Sequence, residues 1–281
     1  MRSGREGGAL KHQGQDRKIF EKLIRFLDDK KISAESPDRL VLGIGKFFLE
    51  THYGAGTLET KGAERLVINL RELDCVTFVE NVVALAWLVT SREKSFETFR
   101  RMLRKIRYKQ GTLQGYTSRL HYFSDWIYDN EKKGIIRDVT KEIGGRPSRK
   151  AVTFMTAHTD LYPPLKNAVN FQRMKSIERT ISRRSLFFIP KKALMGLENR
   201  IQEGDLLAIT TNAEGLDILH VGFAARVKNR IHLLHASSAE GRVVLSPKTL
   251  YRYLMESKVR SGIMVARFET EGSRGESRRW T

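Results

Sequence analysis

The stretch that decides the reading runs from Leu66 to Val89, LVINLRELDCVTFVENVVALAWLV. Its opening residues, 66–70, are apolar and partly β-branched, which predicts a short buried strand. From Cys75 the spacing turns helical. Phe78, Val82, Leu85 and Val89 form one row and Val79, Val83 and Ala86 another, so the helix is apolar around most of its circumference and belongs at the centre of the fold. Thr77, Glu80 and Asn81 make it too polar, and it is too short, to span a bilayer, so the chain reads as soluble. Cys75, at the strand-to-helix junction, is the only cysteine among 281 residues. A single thiol excludes an internal disulfide framework and any multi-thiolate zinc or iron–sulfur site.

Upstream of this stretch, Ile19, Phe20, Leu23, Ile24 and Leu27 have the spacing of an amphipathic helix. Ser36-Pro37 opens a second helix to about His52, stopped by Gly54 and Gly56. Downstream come a basic helix near 96–108, a Tyr-rich stretch (115–130, GYTSRLHYFSDWIYDN) and a helical or loop-like region to about 147. From Asp205 the period changes to two. DLLAIT, LHVGFAARV, IHLLHAS and GIMVARF read as strands, with one helix, TLYRYLMES, before the last. Helices first and strands second predict an α+β fold with the helices packed on one face of an antiparallel sheet. Without a repeat or a Pro/Ser-rich linker, residues 16–268 read as one domain, between a disordered basic tail at 1–15 and a disordered tail at 269–281. The Gly-rich start, MRSGREGGALKHQGQ, has no apolar run of the kind a secretory signal needs, which leaves open a cytoplasmic protein or a longer natural N-terminus.

A cysteine in the first turn of a helix meets unpaired N–H groups and the positive end of the helix dipole, both of which favour thiolate. The same residue could be an inert buried thiol. Two histidines bear on the choice. If Lys228-Asn229 is the turn of a hairpin, Val227 pairs with Arg230, Gly222 with His235 and His220 with Ser237. His220 and His235 are then diagonal neighbours on one face, about 7–8 Å apart at the backbone. Gly222 leaves the space between them open, while Val221, Phe223, Leu234 and Ala236 form the core face; a slip of one residue would bring His232 beside His220 instead. A thiol nucleophile, a histidine that exchanges its proton and a polar third group that holds the ring are the parts of a cysteine hydrolase.

LRELDCVTFVENVVAL, YTSRLHYFSDWI, and the terminal GLDILHVGF and LLHASS with QEGD preceding these two, resemble the N-acetylmuramoyl-L-alanine amidase-like family, over roughly residues 37–268. That family was long a domain of unknown function and belongs to the NlpC-type branch of the papain-like cysteine hydrolases. The resemblance implies a papain-like NlpC-type fold and a catalytic triad at Cys75, His220 and His235. It further implies a cysteine-dependent amidase that needs no cofactor or metal and cuts the bond between muramic acid and L-alanine in peptidoglycan fragments, in anhydro-muropeptide turnover. Related NlpC-type enzymes cut the γ-D-glutamyl–diaminopimelate bond, so an endopeptidase on the same triad is the alternative. Such a role favours the cell envelope or periplasm, whereas the N-terminus as written favours the cytoplasm. Expected substrate contacts are Tyr53, which matches a family position near the cleft, and Tyr116, Arg119, His121 and Tyr122, whose aromatic faces and forked cation suit sugars and carboxylates; a structural loop would use the same residues. Asp217 is either a turn residue or a substrate contact, and Asp74 a helix cap.

The net charge of +19, from 51 Lys and Arg against 32 Asp and Glu, points to a polyanionic partner and says nothing about fold. It gathers between 172 and 192, where Arg173, Lys175, Arg179, Arg183, Arg184, Lys191 and Lys192 face a single acid, Glu178. This is a solvated basic face or a surface for an anionic polymer or membrane. A basic nucleic-acid- or envelope-binding protein without catalysis is the competing class. No zinc knuckle, Lys/Arg-Gly-Phe signature or helix-turn-helix accompanies the charge, and nucleic acid is not an expected partner.

Overall fold

The period-two segments build a large sheet, and the central helix lies across it. The computed structural model describes residues 3–269 apart from Glu35 and Lys61, with side chains described from residue 14. The chain forms α1 (Ser3–Asp29), α2 (Pro37–Phe47), the short strands β1 (His52–Tyr53) and β2 (Glu72–Leu73), α3 (Cys75–Thr90), α4 (Phe96–Arg107) and α5 (Phe123–Lys132). Then come β3 (Ile136–Asp138), β4 (Arg146–Ser148), α6 (Phe154–Ala157), α7 (Ala168–Ser182), β5 (Leu186–Pro190) and α8 (Leu194–Leu197). The C-terminal part holds β6 (Leu206–Thr211), β7 (Ile218–Val227), β8 (Arg230–Ser237), β9 (Arg242–Thr249), α9 (Leu250–Met255) and β10 (Arg260–Phe268).

The strands join in the order β2-β1-β9-β8-β7-β6-β10-β5-β4, with β3 also on β10; β1 and β2 pair in parallel and the other pairs are antiparallel. The β7–β8 hairpin has the expected register, with Phe223 opposite Leu234 and Val227 opposite Arg230. Lys228 and Asn229 both have positive φ, 46° and 62°, as a two-residue turn with the right twist requires.

Helices are not confined to one face. Val221, Phe223, Leu234 and Ala236 pack with α1–α4 in the main core. The opposite face carries a second core in which Leu207, Ala224, Leu233 and Val265 meet Leu194 of α8 and Leu250 and Leu254 of α9. Short helices between strands cover the second face, so the expected one-sided packing is corrected to a sheet covered on both sides. The expected strand at 66–70 is instead irregular chain outside the sheet. Side chains bind its backbone: Asp16 Oδ1 accepts from Leu70 N at 2.9 Å and Arg107 donates to the Val67 carbonyl, while Tyr108 OH donates to the carbonyl of the preceding Arg65 at 3.1 Å. Arg107 is held for this by Glu80 of α3, at 2.7 Å, both side chains being buried. At the N-terminus, helix α1 begins at Ser3, inside the segment expected to be a disordered tail. Glu269 is tied by its N–H to the Ile135 carbonyl at 3.1 Å and by its carboxylate to Arg137, and the rest of the expected C-terminal tail lies outside the described residues.

Candidate active site

The thiol stands where α3 begins, and the local sequence dictates what surrounds it. Asp74 caps the helix: its Oδ1 accepts from Thr77 N at 2.7 Å, Thr77 Oγ1 accepts from Asp74 N at 2.9 Å, and the Asp74 carbonyl takes the Phe78 N–H. The N–H groups of Cys75 and Val76 remain, and together with the Val221 N–H of β7 they act on the sulfur and lower its pKa. Burial outweighs them, and the Asp74 carboxylate adds to burial, so the thiol is pushed up to about 12. Against the expectation of a thiolate at rest, these influences together favour the neutral thiol at the half-buried Cys75.

His220 and His235 meet as the hairpin register requires. His220 Nε2 and His235 Nδ1 are 2.6 Å apart, with the ring planes nearly perpendicular. Burial holds His220 down to about 3, helped by His235 and Arg260, and His235 down to about 4, helped by Arg260. Both rings are neutral at physiological pH. Behind them stands Tyr253 of α9, with centroids 5.7 Å from His235 and 6.4 Å from His220, and the Arg260 guanidinium lies 3.8 Å over the Tyr253 ring. Sequence reading passed over Tyr253 and Arg260. The available signal was the position of Tyr253 three residues after Leu250, on the side of the helix that faces the sheet.

Cys75 and His220 line one cavity of about 120 Å³, together with His121, Tyr122, Phe154, Tyr162 and Asp217. The thiol and the imidazole share this space without hydrogen-bonding to each other among the described residues, and His220 Nδ1 has no hydrogen-bond partner there. Among the described residues no group of three or more His, Cys, Asp or Glu side chains is arranged to hold a metal. What the arrangement offers is a thiol, an adjacent base whose far nitrogen is held by a second imidazole, and helix-start N–H donors.

The model of the N-acetylmuramoyl-L-alanine amidase-like family matches residues 43–263, from α2 to β10. The chain belongs to that family. Solved structures agree with this assignment. An N-acetylmuramoyl-L-alanine amidase from Bacteroides uniformis is similar to this amidase-like chain at 38% identity over 83% of it and 99% of the Bacteroides chain, with a TM-score of 0.79. A Bacteroides fragilis protein named as a candidate xylanase is 41% identical over 81% of this chain and 100% of its own, with a TM-score of 0.77. A Legionella pneumophila protein, 24% identical over 94% and 97% of the two chains with a TM-score of 0.68, shares the fold. No curated protein matches the chain.

The remaining expected residues of this amidase-like protein divide into two groups. Tyr53 pairs with Leu73 across β1–β2 and so stands beside Asp74 and Cys75; burial raises its phenol, as do the negative charges those two groups carry when ionised. His121, Tyr122 and Asp217 line the cavity. Burial holds His121 down to about 3, and its Nε2 lies 2.9 Å from the Tyr116 carbonyl. Tyr122 OH donates to Glu178 at 2.7 Å and accepts from Met155 N at 2.8 Å, and Asp217 Oδ2 accepts from Ser124 N at 2.8 Å. Tyr116 and Arg119 do not line the cavity. Arg119 is buried between Glu59, at 2.6 Å, and Glu64, at 3.6 Å, with its guanidinium over the Tyr116 ring. Phe154, which opens the one-turn helix α6, and Tyr162, from the loop that follows it, do line the cavity, in a region where no periodicity marked them.

Proposed function

We propose that this protein is a cysteine amidase of NlpC-type, papain-like architecture that hydrolyses the amide between the lactyl group of muramic acid and L-alanine in peptidoglycan fragments. The observation that carries the reading is the single cavity holding Cys75 and His220, with the other nitrogen of His220 held by His235 at 2.6 Å. Membership of an amidase-like family and similarity to a protein named N-acetylmuramoyl-L-alanine amidase support the substrate class.

Because thiol and imidazole are both neutral at rest, the proton moves as the bond forms. His220, with its proton on Nε2 and that N–H directed at His235 Nδ1, accepts the Cys75 proton at Nδ1 while Sγ attacks the lactyl carbonyl. The Cys75 backbone N–H, left free by the capping box, donates to the oxyanion, and Tyr53 stands on the same side. Collapse breaks the C–N bond, and His220 passes its proton to the departing L-alanine nitrogen. Water then gives a proton to His220, its oxygen attacks the thioester, and the released sulfur takes the proton back. His235 is a positioning residue, since it fixes the tautomer of His220 without touching substrate.

A glycosidase reading, suggested by the name of the Bacteroides fragilis relative, calls for two carboxyl groups facing one bond. Asp217 is the one carboxylate lining this cavity, and it is engaged by Ser124. The excess positive charge fits attraction to anionic envelope polymers: α7 turns its acid, Glu178, inward and leaves Arg173, Lys175 and Arg179 exposed.

Digestion of a defined anhydro-muropeptide, with products weighed by mass spectrometry, tests the reading. Release of the intact stem peptide from the sugar is expected. Release of a sugar still bearing L-Ala-D-Glu would make the protein an endopeptidase, and steep salt-dependent binding of nucleic acid without hydrolysis would move it to the binding class.

A further inference from the structure

A second cavity of about 260 Å³, between β4, β5 and the ends of β6 and β10, has no part in the reaction described above. Asp217 and Ile218, at the entry to β7, line both this cavity and the one holding Cys75, so the two meet at a common wall. They differ in charge. No Lys or Arg lines the Cys75 cavity. Its neighbour carries Arg149 and Lys150 with the hydroxyl-bearing Thr210 and Ser261, against Phe187 and Phe188. Lys150 Nζ donates to the Thr211 carbonyl, which fixes the ammonium at the wall with two further N–H groups to give. Arg149 is exposed and has no ion-pair or hydrogen-bond partner among the described residues. A fixed ammonium and an unengaged guanidinium beside aromatic walls match organic carboxylates on an aliphatic stem.

We propose that this second cavity binds the carboxylate-bearing stem peptide of the substrate, with Arg149 and Lys150 as its specificity-determining contacts and the sugar and lactyl portion on the Cys75 side of Asp217. The proposal rests on the amidase reading and adds the orientation of the substrate. A muropeptide has an uncharged glycan end and an anionic peptide end, and the two adjoining cavities are lined without cations and with them, respectively. Matching the ends to the cavities puts Asp217 and Ile218, which line both, between the glycan and peptide portions of the substrate.

Calorimetric titration with the tripeptide L-Ala-γ-D-Glu-diaminopimelate separates this proposal from the reading beneath it. The titrated protein is Cys75→Ala, with and without Arg149→Gln and Lys150→Met, each checked for an unchanged circular dichroism spectrum. The double substitution is expected to weaken binding at least about tenfold, the scale of losing charge-assisted contacts. On the Cys75-containing enzyme, the preference for free over amidated stem carboxylates is expected to fall by a similar factor, through KM. Equal affinity with and without the substitutions, or no binding of the tripeptide to a protein whose Cys75-containing form releases it, overturns the proposal. Failure of the Cys75-containing enzyme to release any stem peptide would instead remove the amidase reading itself.

Discussion

At Cys75, three N–H groups and the helix start pull the thiol toward ionisation while burial and the Asp74 carboxylate hold it back. Asp74 has two separable roles there, a hydrogen-bonding cap and a negative charge. Asn caps a helix about as well as Asp does. Asp74→Asn is therefore expected to leave thermal stability nearly unchanged and to make Cys75 more readily ionised, seen as faster alkylation by iodoacetamide between pH 7 and 10. An unchanged alkylation rate would show that the charge of Asp74 does not act on the thiol. The location of this thiol was legible in LRELDCVTF, because a capping residue followed by a helical apolar row fixes where the helix starts. Its protonation was not legible. The helix-start effect is local and visible in sequence, whereas burial depends on segments brought in from elsewhere in the chain, among them residues 121–123 and 216–221.

Among the elements, the β7–β8 hairpin is the part the sequence specified most fully. Alternation fixed its faces, Lys228-Asn229 fixed its turn, and the pairing that follows brings the two imidazoles together. Gly222 has a stricter role than leaving space. A Cβ there would lie 2.6 Å from the Leu234 carbonyl oxygen and 2.9 Å from His235 Cβ. Gly222→Ala must therefore part the strands and move His235 off His220, with an overpacking cost of about 1–3 kcal/mol. A fall in kcat larger than the change in KM, together with a lower thermal midpoint, is the expected outcome; a fully active and equally stable variant would contradict it. The short extended run at 66–70 shows where pattern reading stopped. Apolar, β-branched residues there suggested a strand, but Asp16 and Arg107 bind its backbone from distant parts of the chain. Likewise Tyr253 reaches the histidines through the placement of α9 on the second face of the sheet, which helix-then-strand order did not reveal.

Taken as a whole, the molecule holds His235, buried, and His121 and His220, half-buried, down to about 4, 3 and 3. An unfolded histidine takes up its proton near pH 6.5. Between that pH and the folded values the unfolded chain binds protons that the folded chain refuses. The stability these three groups contribute is therefore complete above about pH 6.5 and is lost as the pH falls toward about 3. Their ring proton resonances should not titrate between pH 5 and 8, and His121→Gln should flatten the acid slope of stability by up to one proton. A ring titrating near 6.5 would contradict the burial assigned to it. The net charge of +19 belongs to this scale, whereas the proposed chemistry rests on the one thiol. The most direct measurement is therefore hydrolysis of one defined anhydro-muropeptide by the Cys75-containing protein and by Cys75→Ala, at matched folded concentration. The first is expected to release free stem peptide, and the second, equally stable, to release at least about a thousandfold less. Comparable release of stem peptide by Cys75→Ala would contradict this expectation.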